Sequence, residues 1–147
     1  MDRKGLPAEL TRLQAASKEG IGIGTLSPSE QAAAELADYF AARSDQFVTP
    51  RALAGSAFTQ KVWEALREIP VGETRSYPEI ARQVGRPSSV RAVARANGAN
   101  QIALMIPCHR VIGADGSLTG YGGGLWRKQR LIEIERELKT AKQETFK

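Results

Sequence analysis

The chain has one cysteine and one histidine in 147 residues. A single cysteine excludes an internal disulfide, and one cysteine with one histidine is too small a set for a protein zinc site. No apolar run approaches the roughly 18 residues needed to span a bilayer, and the first residues lack the apolar core of a signal peptide. The sequence therefore predicts a cytoplasmic protein without membrane contact or bound metal, and we expect a monomer.

Positive charge is concentrated in the second part of the chain. Residues 1–57 carry six basic and seven acidic side chains, whereas residues 58–147 carry fifteen and nine. Between Arg75 and Arg130 there are nine basic residues and only two acidic ones. Such a region is typical of a surface that binds a phosphate backbone, but a solvated basic face without a partner has the same composition.

Apolar spacing and capping residues predict three amphipathic helices. Ser27 and Glu30 have the spacing of a capping box, with Pro28 at the first helical position, so we expect a helix to begin here. The apolar pattern predicts a second helix over 58–69 and a last helix over 125–139, followed by a frayed tail.

The stretch SYPEIARQVGRPSSVRAVARANG, residues 76–98, predicts two short helices joined by a tight turn. Ser76 can cap the first helix with Glu79 in the third helical position, and Gly85 marks its end. Either serine of the pair 88–89 can cap the second helix. Two short helices around a glycine-containing turn are typical of a helix-turn-helix.

The second of these helices carries Arg91 and Arg95 one turn apart, with small alanines between them. Small side chains allow a helix backbone to approach another surface closely, and the arginines can meet phosphates or bases. Arg86, Arg95, Arg110 and Lys128 are candidate phosphate contacts, although each could equally be a solvated charge or a member of an internal ion pair.

The sequence IALMIP, residues 102–107, predicts a buried strand or extended segment that leads directly to Cys108 and His109. A cysteine attacks as its thiolate and needs a base, which in turn needs an orienting carboxylate. A histidine cannot easily turn onto its neighbour's sulfur, so a water would have to bridge them. The last helix offers Glu133, Glu135 and Glu137. A buried structural cysteine and a structural histidine are the alternatives on these residues alone.

The segment PCHRVIGADGSLTGYGGGLWRKQRL closely resembles the active-site region of the O6-alkylguanine-DNA alkyltransferases, the methylated-DNA–protein-cysteine methyltransferases. The resemblance continues back through AFTQKVWEALREIPVGETRSYPEIARQVGRPSSVRAVARANGAN and covers about residues 55–138. The words RAVARAN are particularly similar to the C-terminal domain of bacterial bifunctional adaptive-response proteins. The resemblance implies a mainly helical α+β fold with a winged-helix-like helix-turn-helix domain over 55–140. A reduced N-terminal segment with one helix and a connector over 1–54 and a tail over 141–147 would flank it.

The resemblance also implies roles for individual residues. Cys108 would accept the alkyl group, His109 would act as the water-mediated base and Glu135 would orient that base. Tyr77 matches the tyrosine whose hydroxyl reaches N3 of the extruded base. Arg91 matches the arginine finger that takes the place of that base in the stack. The remaining implied substrate-binding residues are Asn100, Val111, Tyr121, Gly122 and Gly123, and the remaining DNA-binding residues are Arg95, Ser88, Ala92 and Arg86.

The resemblance implies a DNA repair protein that binds double-stranded DNA in the minor groove and uses no cofactor. It would transfer the alkyl group of O6-methylguanine, and of O4-methylthymine, irreversibly to its own cysteine after base flipping. A non-catalytic sensor of alkylated guanine is the first alternative, but such relatives lack the reactive cysteine of the PCHR motif. A plain helix-turn-helix transcription factor with a buried structural cysteine is the second.

Overall fold

A computed structural model of the chain describes residues 27–145. The part of the predicted N-terminal segment that precedes residue 27 lies outside this range. The described elements are the helices α1 (Ser27–Phe40), α2 (Ala57–Arg67), α3 (Tyr77–Gln83), α4 (Val90–Gly98) and α5 (Leu125–Thr145) and the strands β1 (Arg75–Ser76) and β2 (Val111–Ile112). The mainly helical α+β class is confirmed. Within the described range, no helix combines the length and apolarity that crossing a membrane requires.

The main core lies where α2, α3 and α4 meet. Side chains from all three helices are buried there, together with the residues that precede and follow the cysteine: Val62, Leu66, Ile80, Val93, Ile106 and Val111. Burial of aliphatic side chains is the dominant favourable contribution to such a fold. This core fixes the position of the short helices that carry the basic region.

The predicted helix-turn-helix is confirmed in α3 and α4. The Ser76 hydroxyl accepts from the backbone of Glu79, and the Glu79 carboxylate accepts from the backbone of Ser76, so the predicted capping box is formed. Gly85 adopts a φ of +74° in the turn, a left-handed conformation that side chains with a Cβ rarely take. Ser89 occupies the cap position of α4 but makes no side-chain capping bond.

Helix α4 is attached to α2 by a buried indole. The Nε1 of Trp63 donates to the backbone carbonyl of Ala96 at 2.9 Å, near the C-terminal end of α4. On the core side of α4, Val93, Ala96 and Asn97 are buried. Its opposite face, with Arg91 and Arg95, is therefore held outward.

The expected strand over 102–107 is not formed. The segment is a turn with one isolated bridge, between Ala103 and Ile106, and Leu104 has a φ of +73°. The Asn100 side chain accounts for the turn, since its amide accepts from the backbone N–H of Ile102 and donates to the carbonyl of Ile106. The only sheet of the described residues is a parallel pair, in which β1 and β2 align Arg75 with Val111.

The last helix is longer than predicted. Helix α5 continues past residue 139 to Thr145 instead of fraying. Its extension contains good helix formers. Lys142 within the extension and Lys139 just before it form ion pairs with Asp45 and Glu73, at 2.6 and 2.9 Å. These contacts attach the end of α5 to the rest of the fold.

Helix α1 begins at Ser27, so Ser27 is the first helical residue rather than the residue preceding it. The connector after α1 folds back onto it through Glu35, whose carboxylate accepts from the backbone of Val48 and from the backbone and hydroxyl of Thr49. Tyr39 is the buried side chain of this helix and points toward α5, in a cluster with Leu131 and Leu138.

Candidate active site

Cys108 begins a short 3-10 turn, Cys108–Arg110, that follows the Asn100-stabilised segment. Its side chain is 6% exposed, and its Sγ accepts a hydrogen bond from the Nδ2 of Asn100 at 2.9 Å. A donor on the sulfur favours the charged thiolate, which is the nucleophilic form of cysteine. The structure therefore holds the sulfur in one orientation beside a polar group suited to its reactive state.

A pocket of about 380 Å³ opens beside Cys108. This volume is in the range of small-molecule sites. Helix α4 and the segment after it form one wall, with Asn97, Gly98, Asn100, Gln101 and Ala103. The glycine-rich loop and the start of α5 form the other wall, with Gly120, Tyr121, Gly122, Gly123 and Arg127. The predicted substrate residues Asn100, Tyr121, Gly122 and Gly123 are thus brought together around the sulfur.

His109 and Glu135 form the predicted pair. The Nε2 of His109 lies 2.7 Å from the Oε1 of Glu135, and both side chains are fully buried. Burial alone would raise the pKa of Glu135, but hydrogen bonds from His109 and Arg110 outweigh it and lower that pKa to about 2. An ionised carboxylate can only accept, so Nε2 carries the hydrogen and the lone pair of the neutral ring lies on Nδ1.

The Nδ1 of His109 is buried and has no hydrogen-bond partner among the described residues. A buried nitrogen with a free lone pair is an acceptor ready for a proton. The ring therefore has its acceptor available while its other nitrogen is held by Glu135. This arrangement is the one a general base requires.

Arg110 belongs to the same network, and of the alternatives left open for it the structure shows the internal ion pair. Its Nε and Nη2 donate to the two carboxylate oxygens of Glu135 at 2.8 Å each, and its Nη1 donates to the carbonyl of Ile69 at 2.6 Å. This two-pronged geometry is the strong form of an arginine–carboxylate pair. The backbone N–H of Gly72 also faces Glu135, at 3.4 Å from Oε2.

Lys128 is also internal rather than a surface charge. Its side chain is fully buried, and its Nζ donates to the carbonyl of Thr119 at 2.7 Å. Burial lowers the pKa of Lys128, and the charge of Cys108 partly offsets that shift. Lys128 thus holds the start of the glycine-rich loop and places a positive charge in the electrostatic environment of the sulfur.

Tyr77 opens α3 and is half-buried between the helix-turn-helix and the loop. Its hydroxyl bonds to the side chain of Thr119 and lies 3.5 Å from the Nδ2 of Asn97. Burial raises the pKa of Tyr77, so the hydroxyl keeps its proton at neutral pH. It is a hydrogen-bond donor at the mouth of the site.

A second depression, of about 580 Å³, adjoins the first on the outer face of α4. It shares Gly98 and the loop residues 120–122 with the cysteine pocket, and it is also lined by Tyr77 and Arg91. The depression on the exposed face of α4 and the cysteine pocket therefore lie side by side. The other predicted DNA-binding residues on this side are solvent-facing, with Arg86, Ser88 and Arg95 exposed and Ala92 half-buried.

Val111 differs from the other predicted substrate residues. Its side chain is fully buried in the main core and does not line the cysteine pocket. Its backbone N–H donates to the carbonyl of Cys108. Any contact with a substrate would have to come from its backbone carbonyl.

Sequence reasoning missed Tyr39, and it left the role of Arg110 open. The Tyr39 hydroxyl donates to the Oε1 of Glu135 at 2.9 Å across 96 positions of the chain. Arg110 has a local signal, because it directly follows Cys108 and His109. Tyr39 has none, since nothing in a local pattern connects α1 with α5.

Comparison with known proteins agrees with this geometry. Residues 57–137 match the family described as 6-O-methylguanine DNA methyltransferase, DNA binding domain. The chain is 58% identical over 102 residues to a methylated-DNA–protein-cysteine methyltransferase of Mycolicibacterium paratuberculosis. That match covers 69% of this chain and 62% of the relative, so the chain spans less than two thirds of the relative's length.

Two solved structures extend the comparison. Mycobacterium tuberculosis OGT in complex with DNA is similar at a TM-score of 0.72 and 53% identity, covering 74% of this chain and 68% of that one. Schizosaccharomyces pombe Atl1, in complex with damaged DNA containing O6-carboxymethylguanine, is similar at 0.51 and 35%, covering 56% and 79%. The matched region contains α2 to α4, Cys108 and Glu135, and on this basis the chain belongs to the 6-O-methylguanine DNA methyltransferase family.

Proposed function

We propose that this protein repairs DNA by transferring the alkyl group from O6 of guanine to the sulfur of Cys108. The observation that carries the proposal is the position of this sulfur, in a pocket that opens beside the outward face of α4 and next to a His109–Glu135 pair. The methyltransferases and the DNA complex to which the chain is similar support the same reaction. O4-methylthymine presents the same kind of alkyl–oxygen bond and is a second substrate under this proposal.

The transfer is a displacement at the alkyl carbon. The Cys108 thiol gives its proton through a bridging water to the Nδ1 of His109, and Glu135 stabilises the resulting imidazolium. The sulfur then forms a bond to the alkyl carbon while the carbon–O6 bond breaks and its electrons remain on the purine. One proton returns to the purine, so unmodified guanine and an S-alkylcysteine result. The protein has no means to reverse the thioether, so each molecule reacts once.

Charge that develops on the purine requires hydrogen-bond donors. Under this proposal the Tyr77 hydroxyl donates to N3 of the base and the backbone N–H of Gly122 donates to O6, as the donors of an oxyanion hole do. The carbonyls of Cys108 and Val111 accept from the exocyclic amine of guanine. A donor of this kind typically contributes about 3 kcal/mol to the stability of a transition state.

The target atom is inside a duplex, so the nucleotide has to leave the stack before it can reach Cys108. Extrusion costs a few kcal/mol, and insertion of Arg91 into the gap offsets part of that cost. The alanines of α4 suit close approach to a narrow minor groove. The exposed Arg86 and Arg95 then contact phosphates of the duplex. A single copy of the chain suffices for the reaction.

A sensor that binds alkylated guanine without reacting is the second candidate. The similarity to Schizosaccharomyces pombe Atl1, solved in complex with damaged DNA containing O6-carboxymethylguanine, favours it. A sensor and a transferase need the same pocket and the same exposed arginine. They differ in whether the sulfur gains the alkyl group.

Peptide mass spectrometry tests both candidates. The protein is mixed with an equimolar duplex that contains one O6-methylguanine, digested and compared with protein mixed with unmodified duplex. Transfer predicts that the Cys108 peptide gains the mass of one methylene group in a one-to-one ratio with DNA. Cys108→Ala is the matched control, which should bind the duplex and gain nothing. Binding to the lesion without a mass gain in the unmutated chain would favour the sensor.

A further inference from the structure

Helix α1 contributes one polar group to the His109–Glu135 pair. Tyr39 is 1% exposed, and its hydroxyl donates to the Oε1 of Glu135 at 2.9 Å. Burial and the neighbouring carboxylate raise the pKa of Tyr39 far above its ordinary range, so the hydroxyl remains a donor at neutral pH. The residue lies outside the range 57–137 that carries the family match.

The oxygen that Tyr39 contacts is the one that binds the histidine. The Oε1 of Glu135 also accepts from the Nε2 of His109 at 2.7 Å and from the Nη2 of Arg110 at 2.8 Å. Donors that share one oxygen reduce the negative charge that it offers to each of them. Packing alone would require the ring of Tyr39 but not its hydroxyl.

We propose that Tyr39 is a positioning residue for alkyl transfer, because its hydroxyl fixes the Glu135 carboxylate that orients His109. The inference rests on the proposed function of Cys108. It means that the reactive centre is assembled from two parts of the chain, the matched domain and α1.

The groups that face Glu135 determine the direction of the expected effect. Tyr39 faces it from α1, and His109 and Arg110 face it from the 3-10 turn. Tyr121 of the glycine-rich loop interacts with Tyr39 within the same cluster. Lys139, one turn further along α5, is paired with Glu73. Among the side chains that hydrogen-bond to Glu135, only Tyr39 can lose its donor without a change of charge or of ring shape.

Tyr39→Phe is the test variant. With one donor fewer, the carboxylate holds the Nε2 proton of His109 more strongly and favours the protonated ring, which cannot accept the thiol proton. We expect transfer at pH 7 to slow by about 2- to 10-fold, the effect of one typical hydrogen bond. We also expect the acid limb of the rate profile to move to higher pH, while affinity for the duplex is unchanged.

A second readout does not depend on transfer. The chain has one histidine, so the imidazole signals in a proton–nitrogen spectrum of the untagged protein belong to His109. In Tyr39→Phe the Nε2 proton should move further downfield. Phe47→Leu is the control, because the ring of Phe47 packs against Tyr39 with 5.6 Å between centroids but the residue takes no part in the Glu135 hydrogen bonds. It should leave the proton signal and the acid limb in place.

Each outcome has one meaning. An unchanged rate profile in Tyr39→Phe overturns the inference, whether or not the proton signal moves, because the hydroxyl then has no effect on the reaction. The same change in Phe47→Leu as in Tyr39→Phe overturns it too, since packing would then explain both. If the unmutated chain transfers no alkyl group, the proposed function has failed. The proton signal then tests the hydrogen bond between Tyr39 and Glu135 by itself, and an unshifted signal in Tyr39→Phe would overturn it.

Discussion

The Nδ2 of Asn100 lies 2.9 Å from the sulfur of Cys108 and 2.7 Å from the carbonyl oxygen of Ile106. The amide oxygen of the same side chain accepts from the backbone N–H of Ile102. These three contacts fix the amide so that its nitrogen faces the sulfur. One side chain therefore both folds the segment before the cysteine and supplies a donor to the nucleophile.

Replacing Asn100 with aspartate should remove the donor to the sulfur. Asn100→Asp keeps the shape and the acceptor for Ile102, but an ionised carboxylate donates neither to the sulfur nor to the carbonyl of Ile106, and it repels a thiolate. A hydrogen bond to a charged group contributes about 1.5–3 kcal/mol, so we expect transfer from an O6-methylguanine duplex to slow at least about 10-fold. Quenched-flow mass spectrometry gives the rate. Gln60→Glu makes the same charge change at an exposed position of α2 and should react like the unmutated chain.

The hydrogen bonds that Glu135 accepts from His109 and Arg110 predict how stability depends on pH. The pKa of Glu135 is lowered from 4.5 to about 2, so its contribution is complete above about pH 4.5 and is lost as the pH falls toward 2. A shift of this size corresponds to about 3 kcal/mol. Urea unfolding at a series of pH values between 7 and 2 should show the decline.

Glu135→Gln should flatten that decline and destabilise the protein at neutral pH, because it leaves the charge of Arg110 buried without a partner. Glu133→Gln is the control, since the contacts of Glu133 are exposed ones on the same helix, an ion pair with Arg130 and a hydrogen bond from Gln129. Its unfolding curve should follow that of the unmutated chain. A parallel decline in Glu135→Gln would show that another carboxylate is responsible.

The elements that were correctly predicted depend on local signals. The helix-turn-helix can be predicted because its signals lie at the ends of its own helices. Ser76 and Glu79 form the capping box at the start of α3, and Gly85 takes the left-handed conformation in the turn after it. The segment 102–107 was misassigned because its apolar composition suits a strand, while the turn is imposed by Asn100 from outside it. The composition of residues 102–107 gives no indication of the hydrogen bonds by which the Asn100 side chain folds this segment.

Charge in the sequence was harder to interpret. Arg110 and Lys128 contribute to the basic region as strongly as Arg91 does, yet both are buried. Their burial depends on acceptors that lie 25 and 9 positions away, at Glu135 and Thr119. A count of charges therefore overestimates the basic surface of this protein. The exposed arginines of α4 form a larger share of that surface than the count suggests.

The indole of Trp63 is expected to hold α4 in place. Trp63→Phe removes the donor to Ala96 and leaves a buried carbonyl without its partner, which should lower the free energy of unfolding by about 1–3 kcal/mol. Urea unfolding at neutral pH measures the change. Trp126→Phe is the matched control, because Trp126 is 66% exposed and should tolerate the replacement. Equal stabilities of the two variants would contradict an anchoring role for Trp63.

Arg91 is expected to act only when the substrate is a duplex. It is exposed, lines the depression that adjoins the cysteine pocket and has no ion-pair partner among the described residues. Arg91→Ala should therefore slow transfer from duplex O6-methylguanine by 10-fold or more, about 1.4 kcal/mol, because base extrusion loses the group that fills the gap. Its reaction with free O6-benzylguanine needs no extrusion and should change little.

Arg136→Ala removes the same charge from an exposed position of α5 and should leave both rates close to those of the unmutated chain. The informative quantity is the ratio of the two rates, since a general loss of stability lowers both together. If Arg91→Ala slows the duplex and the free base equally, Arg91 does not assist extrusion. Loss of long-range attraction to phosphates would instead slow the duplex reaction in both arginine variants, and that loss would diminish as salt is added.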